Sequence, residues 1–397
     1  MTTTLVPLRR LFEIVNGGTP TNEPENWGGE VAWATPTDLA VVDGHAVGPT
    51  QRTLTDAGLR SGSRRVPAGS LLMSTRAPVG YVARAAQPMA FNQGCRGLVP
   101  RSADLSTRYF KYQLLAHRSD LEAAANGTTF QELSTDALAS LRVHVAEPTE
   151  QRRVADFLDA ETARVDALIA AKQQMIVVAQ QRHAAAVAVA IFGDAARSAR
   201  LAHLVNLLPG FSFQSTDFDR ESGVRLLRGI NIAPGRLRWD EVVYIRQVDA
   251  RIAVTYQLLP GDLVIGMDRP MVSGGMRVAE VQTDDLPCLL VQRVARIRTL
   301  EPGDRAFVRH ALASASFRHY FDPITTGVSV PHISPSQIVD FRLPVPPADT
   351  RRAIGRELDR STAATDAVTD TLSKQIGLLR ERRSALITAA VSGELVM

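Results

Sequence analysis

Lysine is nearly missing from this chain. Only three of its 45 basic residues are lysines, Lys111, Lys172 and Lys374. They follow Phe110, Ala171 and Ser373, so no Gly-Lys-Ser/Thr phosphate loop exists, and no Glu-x-Lys nuclease site either. Cysteine is as scarce. Cys95 and Cys288 are too few for a disulfide framework or a zinc knuckle, and they point to a reducing compartment. No Gly-x-Ser-x-Gly elbow is present. The lone Pro-Pro pair, Pro346–Pro347, lacks the flanking Asn or Asp and the aromatic residue of amino-methyltransferases. The eight histidines have no metal-ligand spacing, and His319 beside Tyr320 reads as a helix-face residue. No apolar run approaches the roughly 20 residues that span a bilayer. Met1–Arg10 has no signal-peptide core, so a cytoplasmic location is expected. These absences argue against catalysis, a bound metal and a membrane.

What the chain has instead is a repeat. Residues 150–190 and 350–390 match at an offset of 200 without a gap: Arg152 with Arg352, Leu158–Asp159 with Leu358–Asp359, Thr162–Ala163 with Thr362–Ala363, Asp166–Ala167 with Asp366–Ala367, and Arg182 with Arg382. Each copy opens after proline, with Thr149 and Asp349 as N-cap candidates, and proline is then absent until well past it. A heptad runs through Leu358, Thr365, Leu372, Leu379 and Leu386, with Val368 as a partner position. The other copy reads Leu158, Val165, Lys172, Ala179 and Ala186, with Leu168 and Met175 as partners. Two helices of about 60 Å are expected, paired antiparallel.

The division that follows is 1–146, a first globular head; 147–195, a long helix; 196–346, a second head; and 347–397, a second long helix. The heads read as mixed α/β (α+β). Val41–Val42, Ser70–Met73, Leu263–Ile265 and Leu289–Val291 are strand candidates, and Tyr109–Leu115 and Phe307–Tyr320 are helix candidates. The heads also align loosely. Ala68–Met73 with Thr75–Arg76–Ala77–Pro78 is similar to Pro260–Ile265 with Met267–Asp268–Arg269–Pro270, and Asn92–Gln93 answers to Val291–Gln292. Net charge is +4, carried almost wholly by arginine, a residue suited to guanine edges and phosphates.

The first head carries Gly17–Gly18–Thr19–Pro20, Trp27–Gly28–Gly29, Val31–Ala32–Trp33, Asp38–Leu39, Pro67–Leu72, Asn92–Gln93–Gly94 and Gly127–Thr128–Thr129 leading to Leu133–Ser134. With the helix start Pro148–Arg152 and the close Leu386–Gly393, this order resembles the specificity subunit of type I restriction-modification systems along nearly the whole chain. The second head departs from it in Pro209–Gly210–Phe211–Ser212 and in the entry Asp349–Thr350–Arg351. The resemblance implies two α/β target-recognition domains related by an internal pseudo-twofold repeat and joined by an antiparallel coiled coil. It implies a non-enzymatic subunit of a methyltransferase/endonuclease, each head reading one half of a bipartite double-stranded DNA site. Partners would be two methyltransferase subunits, which would carry S-adenosylmethionine, and a restriction/translocase subunit; this chain itself would hold no cofactor. DNA contacts are then expected from Thr19, Thr75, Arg76, Gln93, Arg96, Thr128, Thr129 and Gln131 in the first head. In the second they are expected from Asp268, Arg269, Gln292, Arg293, Ser329 and His332. Subunit-interface positions would be Leu158, Val165, Leu168, Leu358, Val368, Leu372, Leu379 and Leu386. The competing reading is a coiled-coil adaptor that joins proteins and ignores DNA. Steep loss of DNA affinity with salt separates the two.

Overall fold

A computed structural model describes residues 4–76, 78–125, 132–193, 197–272, 274–325 and 331–395. Thr128, Thr129, Gln131 and Ser329 lie outside them. The chain forms two compact units, Met1–Lys172 with Ser373–Met397, and Gln173–Leu372.

The first unit is built on a five-stranded sheet, in the order Phe12–Asn16, Cys95–Pro100, Leu71–Ser74, Val82–Ala85, Ala46–Val47. Leu71, Leu72 and Met73 are all fully buried, because the sheet is covered on both faces. Alternation decides what each meets. Leu71 and Met73 pack with Phe12, Tyr109 and Phe110, whereas Leu72 packs with Ala83, Phe91 and Cys95. The second unit has a four-stranded sheet ordered Val205–Pro209, Val294–Thr299, Leu263–Gly266, Val278–Glu280. Leu263 and Ile265 pack on Phe307, Phe317 and Phe321; Val264 faces Leu227, Cys288 and Leu290.

Two local expectations change. Val41–Val42 is no strand. It ends the helix Pro36–Val41, which starts from a capping box in which Asp38 accepts from the Thr35 N–H at 2.9 Å. Two β-branched residues do not outweigh that cap, and Val41 is exposed. Phe307–Tyr320 is not one helix but two, Arg305–Ala313 and Ala315–Thr325. Ser314 ends the first and caps the second, its hydroxyl accepting from the Phe317 N–H at 3.2 Å.

The long helices are Pro148–Phe192 and Ala348–Ser392. In the first unit Val154, Ala155 and Leu158 pack with Ile387, Ala390 and Val391. Asp166 then pairs with Arg383 at 3.0 Å, and Lys172 Nζ donates to Gln375 at 2.7 Å, so these segments run antiparallel. In the second unit His183 meets Ser361 at 3.0 Å and Thr362 at 3.3 Å, and Val187 and Ile191 share a core with Leu358. That core draws the second long helix close to the head: a Cβ on Gly355 would stand 2.9 Å from the Ala306 Cβ.

The seam keeps one expected set of heptad positions and moves the other. Leu158, Val165, Leu358 and Leu372 are buried, so they offer no surface to another subunit. Leu379 and Leu386 are half-buried. Leu168, Met175 and Val368 are about half exposed and point away from the seam. The partner positions lie four residues on rather than three: Thr162, Ile376 and Ala390 are buried there. Pro148–Phe192 is also long and apolar enough, by length and composition, to cross a membrane, contrary to the reading of the sequence. It carries Arg182 and His183 mid-helix, and its Val187 and Ile191 complete a protein core.

Candidate functional site

In the first unit, three stretches of backbone meet at one end of the sheet. The turn after Phe12–Asn16 closes on the loop before Cys95–Pro100, so tightly that a Cβ at Gly17 would lie 2.0 Å from the Asn92 carbonyl oxygen. Only glycine fits there. The Thr75 N–H donates to the Gly94 carbonyl and the Leu133 N–H to the Thr75 carbonyl, both at 2.8 Å. On this frame the Thr19 hydroxyl donates to the Gln93 side-chain carbonyl. Arg76 pairs with Glu132 at 3.1 Å, and Arg96 approaches the same carboxylate at 3.7 Å.

These residues are presented unequally. Thr19, Gln93 and Arg76 are exposed. Arg96 is largely covered and donates to Thr135 at 3.0 Å and to the Gln93 carbonyl at 2.9 Å; burial lowers its pKa, with Glu132 opposing. Thr75 is fully buried, its hydroxyl 3.3 Å from the Gly94 carbonyl. It locks the loop and offers nothing to a ligand, which corrects the expectation of a contact there. Glu132, the carboxylate that joins both arginines, escaped the sequence reading. Its signal was the 200-residue offset to His332.

The second unit repeats this frame. A Cβ at Gly210 would lie 2.1 Å from the Val291 carbonyl oxygen. The Met267 N–H donates to the Arg293 carbonyl and the Ile333 N–H to the Met267 carbonyl, both at 2.9 Å. The Ser212 hydroxyl donates to Gln292 at 2.7 Å, as Thr19 does to Gln93. The isolated backbone bridge Arg76–Glu132 recurs as Asp268–His332. Arg76 therefore corresponds to Asp268, and Thr75 to Met267. In that alignment Arg269 falls at the position of Ala77, as the sequence match had it, and Arg293 takes the place of Gly94.

Asp268 is the hub of this second cluster. It pairs with Arg293 and, at 2.6 Å, with His332. Partial burial would raise its pKa, but the hydrogen bonds from His332 and Arg293 hold it below the usual carboxylate range. Asp268, Arg269, Gln292 and Arg293 all line a cleft of about 1660 Å³. Arg228, Arg236, Arg238 and Arg277 line it too, and the sequence reading missed all four. They are scattered over fifty residues with no motif, and only the fold collects them. Most are held in place. Arg277 donates to the carbonyls of Ile232 (3.0 Å) and Asp268 (3.3 Å), Arg228 to that of Glu241 (3.2 Å), and Arg238 to the Asp240 carboxylate (2.6 Å). Asp366 and Asp370, on the second long helix, are the other acidic residues of the lining. Such a surface suits a polyanion. Among the described residues no group of three or more His, Cys, Asp or Glu side chains is placed to hold a metal ion.

The family described as type I restriction modification DNA specificity domain matches residues 3–177. Over 154 residues the chain is 32% identical to the type I restriction enzyme MjaIX specificity subunit of Methanocaldococcus jannaschii, covering 38% of this chain and 36% of that protein. Over 161 residues it is 35% identical to the EcoAI specificity subunit of Escherichia coli, covering 40% of this chain and 27% of the other. The chain thus spans about a third of the length of these curated relatives. Among solved structures, one from work on the complex assembly and conformational transition of the type I R-M system has a TM-score of 0.75 at 16% identity, covering 99% of this chain and 98% of that one. The HsdS subunit from Thermoanaerobacter tengcongensis has a TM-score of 0.50 at 16% identity, covering 99% and 97%. At such identity the likeness is one of fold alone.

Proposed function

We propose that this chain, whose residues 3–177 match the family described as type I restriction modification DNA specificity domain, supplies DNA sequence specificity to a type I restriction-modification complex and performs no chemistry itself. Each unit reads one half of a bipartite duplex target. The long helices form an antiparallel coiled coil that sets the gap between halves and docks two methyltransferase subunits. Those subunits bring S-adenosylmethionine, and a restriction/translocase subunit completes the assembly in the cytoplasm.

The observation that carries this reading is the arginine-lined cleft of the second unit, beside a hydrogen-bonded frame that the first unit shares. Arginine reads guanine O6 and N7 through two parallel hydrogen bonds, and glutamine reads adenine the same way. The frame is constant and its polar tips differ, as two different half-targets require. Exposed Leu168, Met175, Val177 and Val368 on the long helices support protein docking there.

Arg76→Ala tests the division of labour. It should relax one half of the target by about 1–3 kcal/mol and leave the other intact. Equal loss in both halves would remove the basis for assigning one half to each unit. DNA affinity that ignores salt would favour the adaptor instead.

A further inference from the structure

Resting on the DNA-reading assignment above, we propose that Arg269 is the guanine-reading residue of the second unit, and that the first unit has no counterpart.

Four observations converge on this side chain. It is exposed and lines the cleft. Its guanidinium has no hydrogen-bonded or ionic partner among the described residues. Arg293, which flanks it, is committed to Asp268, and Arg277 is committed to backbone carbonyls. Its backbone sits at φ +43°, in the left-handed region that disfavours a side chain.

The fourth observation is what holds that conformation. The Arg269 N–H donates to the Pro331 carbonyl, and the Arg277 N–H donates to the Pro270 carbonyl, each at 2.7 Å. The Asp268 carbonyl accepts from the Arg277 guanidinium. The loop is thus clamped on both sides of the strained residue. Such strain persists where the surroundings over-determine it, and it concentrates at ligand contacts. A clamped backbone with a fork unpaired among the described residues is the arrangement that bidentate base reading needs, because the fork keeps its donors and the loop has already lost its freedom. A phosphate contact asks for neither. In the first unit the sequence puts Ala77 at this place, with no donor, while Arg76 and Arg96 share Glu132. The two half-targets should therefore differ in whether a guanine is fixed at this point.

The test is selection from a randomised duplex library by the full chain with its methyltransferase subunits, comparing wild type with Arg269→Ala, Arg269→Gly and Arg269→Lys. The glycine variant removes the guanidinium while suiting the left-handed backbone, so it guards against a folding artefact. The lysine variant keeps the charge without the planar fork. Alanine and glycine should each lose about 5- to 150-fold discrimination at one guanine position in one half, the equivalent of one bidentate contact. Lysine should restore overall affinity but not that position. Uniform weakening at every position, rescued by lysine, would make Arg269 a backbone contact and overturn the proposal, as would an unchanged motif. Absence of any two-part motif from the wild-type complex would defeat the DNA-reading assignment itself, and is told apart because it appears before any substitution.

Discussion

Arg76 and Asp268 occupy one backbone slot with opposite charge, and their bridge partners exchange a carboxylate, Glu132, for an imidazole, His332. The cluster stays paired in both units, with the carboxylate moved from one bridge partner to the other. In the first unit one carboxylate restrains two arginines, so Glu132 controls how much positive charge is free. Glu132→Gln should release Arg76, while Arg96 stays tied to Thr135 and the Gln93 carbonyl. Binding to random duplex should tighten at low salt, and the log–log salt slope should steepen by about 1, for one phosphate newly contacted. Affinity measured across a salt series checks this; an unchanged slope would mean that Arg76 stays bound in place. Arg269 allows a separate test of strain. Arg269→Gly should raise stability by about 1 kcal/mol by relieving a left-handed arginine, measured by denaturant unfolding. These clusters were half visible in the sequence. The four-residue match Thr75–Pro78 with Met267–Pro270 is the match that the hydrogen bonds make. Linear reading failed on which side chains face outward. Thr75 differs from Arg76 by one position on a strand end, which suffices to turn one inward and the other out. Glu132 is 56 residues from Arg76, beyond any local pattern.

At the level of helices and strands, the two units join head to long helix by related but unequal contacts. In the first, Asp159 accepts from the Tyr112 hydroxyl at 2.5 Å and from Lys111 at 3.2 Å. In the second, Asp359 holds His310 at 2.7 Å, beside Arg309. Burial lowers the His310 pKa below its ordinary value, Asp359 opposes, and Arg309 and His183 add to the lowering. A histidine with a lowered folded-state pKa binds fewer protons folded than unfolded. Stability of the second unit should therefore fall as pH drops below about 6.5, and His310→Tyr, which copies the first unit, should flatten that dependence. Unfolding followed from pH 8 to 5 decides it, and an unchanged profile in the variant rules it out. A second contrast lies at the helix entry. Gln151 accepts from the Ser106 N–H at 2.9 Å and donates to the Ala146 carbonyl at 2.8 Å. Arg351 does the matching work, donating to the Pro346 carbonyl at 2.8 Å and to buried Asp304 at 2.6 Å. Arg351→Ala should cost about 3–5 kcal/mol because it strands a buried carboxylate. The pair Asp304→Ser with Arg351→Gln imports the neutral arrangement and should recover most of that loss. Helix existence and length were plain in the repeat, but the seam was not. The seam uses Asp166, His183, Thr362 and Arg383, polar residues, while apolar Leu168, Met175 and Val368 look outward. A rule that assigns apolar residues to the seam chooses the wrong partner set when a helix has a second apolar face.

At the scale of the whole chain, both units draw on both long helices, since residues 148–172 and 373–392 belong to the first and 173–192 and 348–372 to the second. A change in helix length therefore cannot be absorbed by one unit alone. Under the proposed division of labour it should change the gap of the target and leave both half-sequences unaltered. A matched insertion of seven residues after Lys172 and after Leu372 preserves the heptad seam. At 1.5 Å per residue it adds about 10.5 Å, the length of roughly three base pairs at 3.4 Å each. The selected motif should keep both half-sequences and lengthen its gap by about three base pairs. Affinity should drop, because three base pairs also turn the second tract by roughly 100° when a full turn takes 10–10.5. Library selection with the full complex gives the motif directly. Altered half-sequences, or an unchanged gap, would mean that the helices do not set the spacing and that the units find their tracts independently.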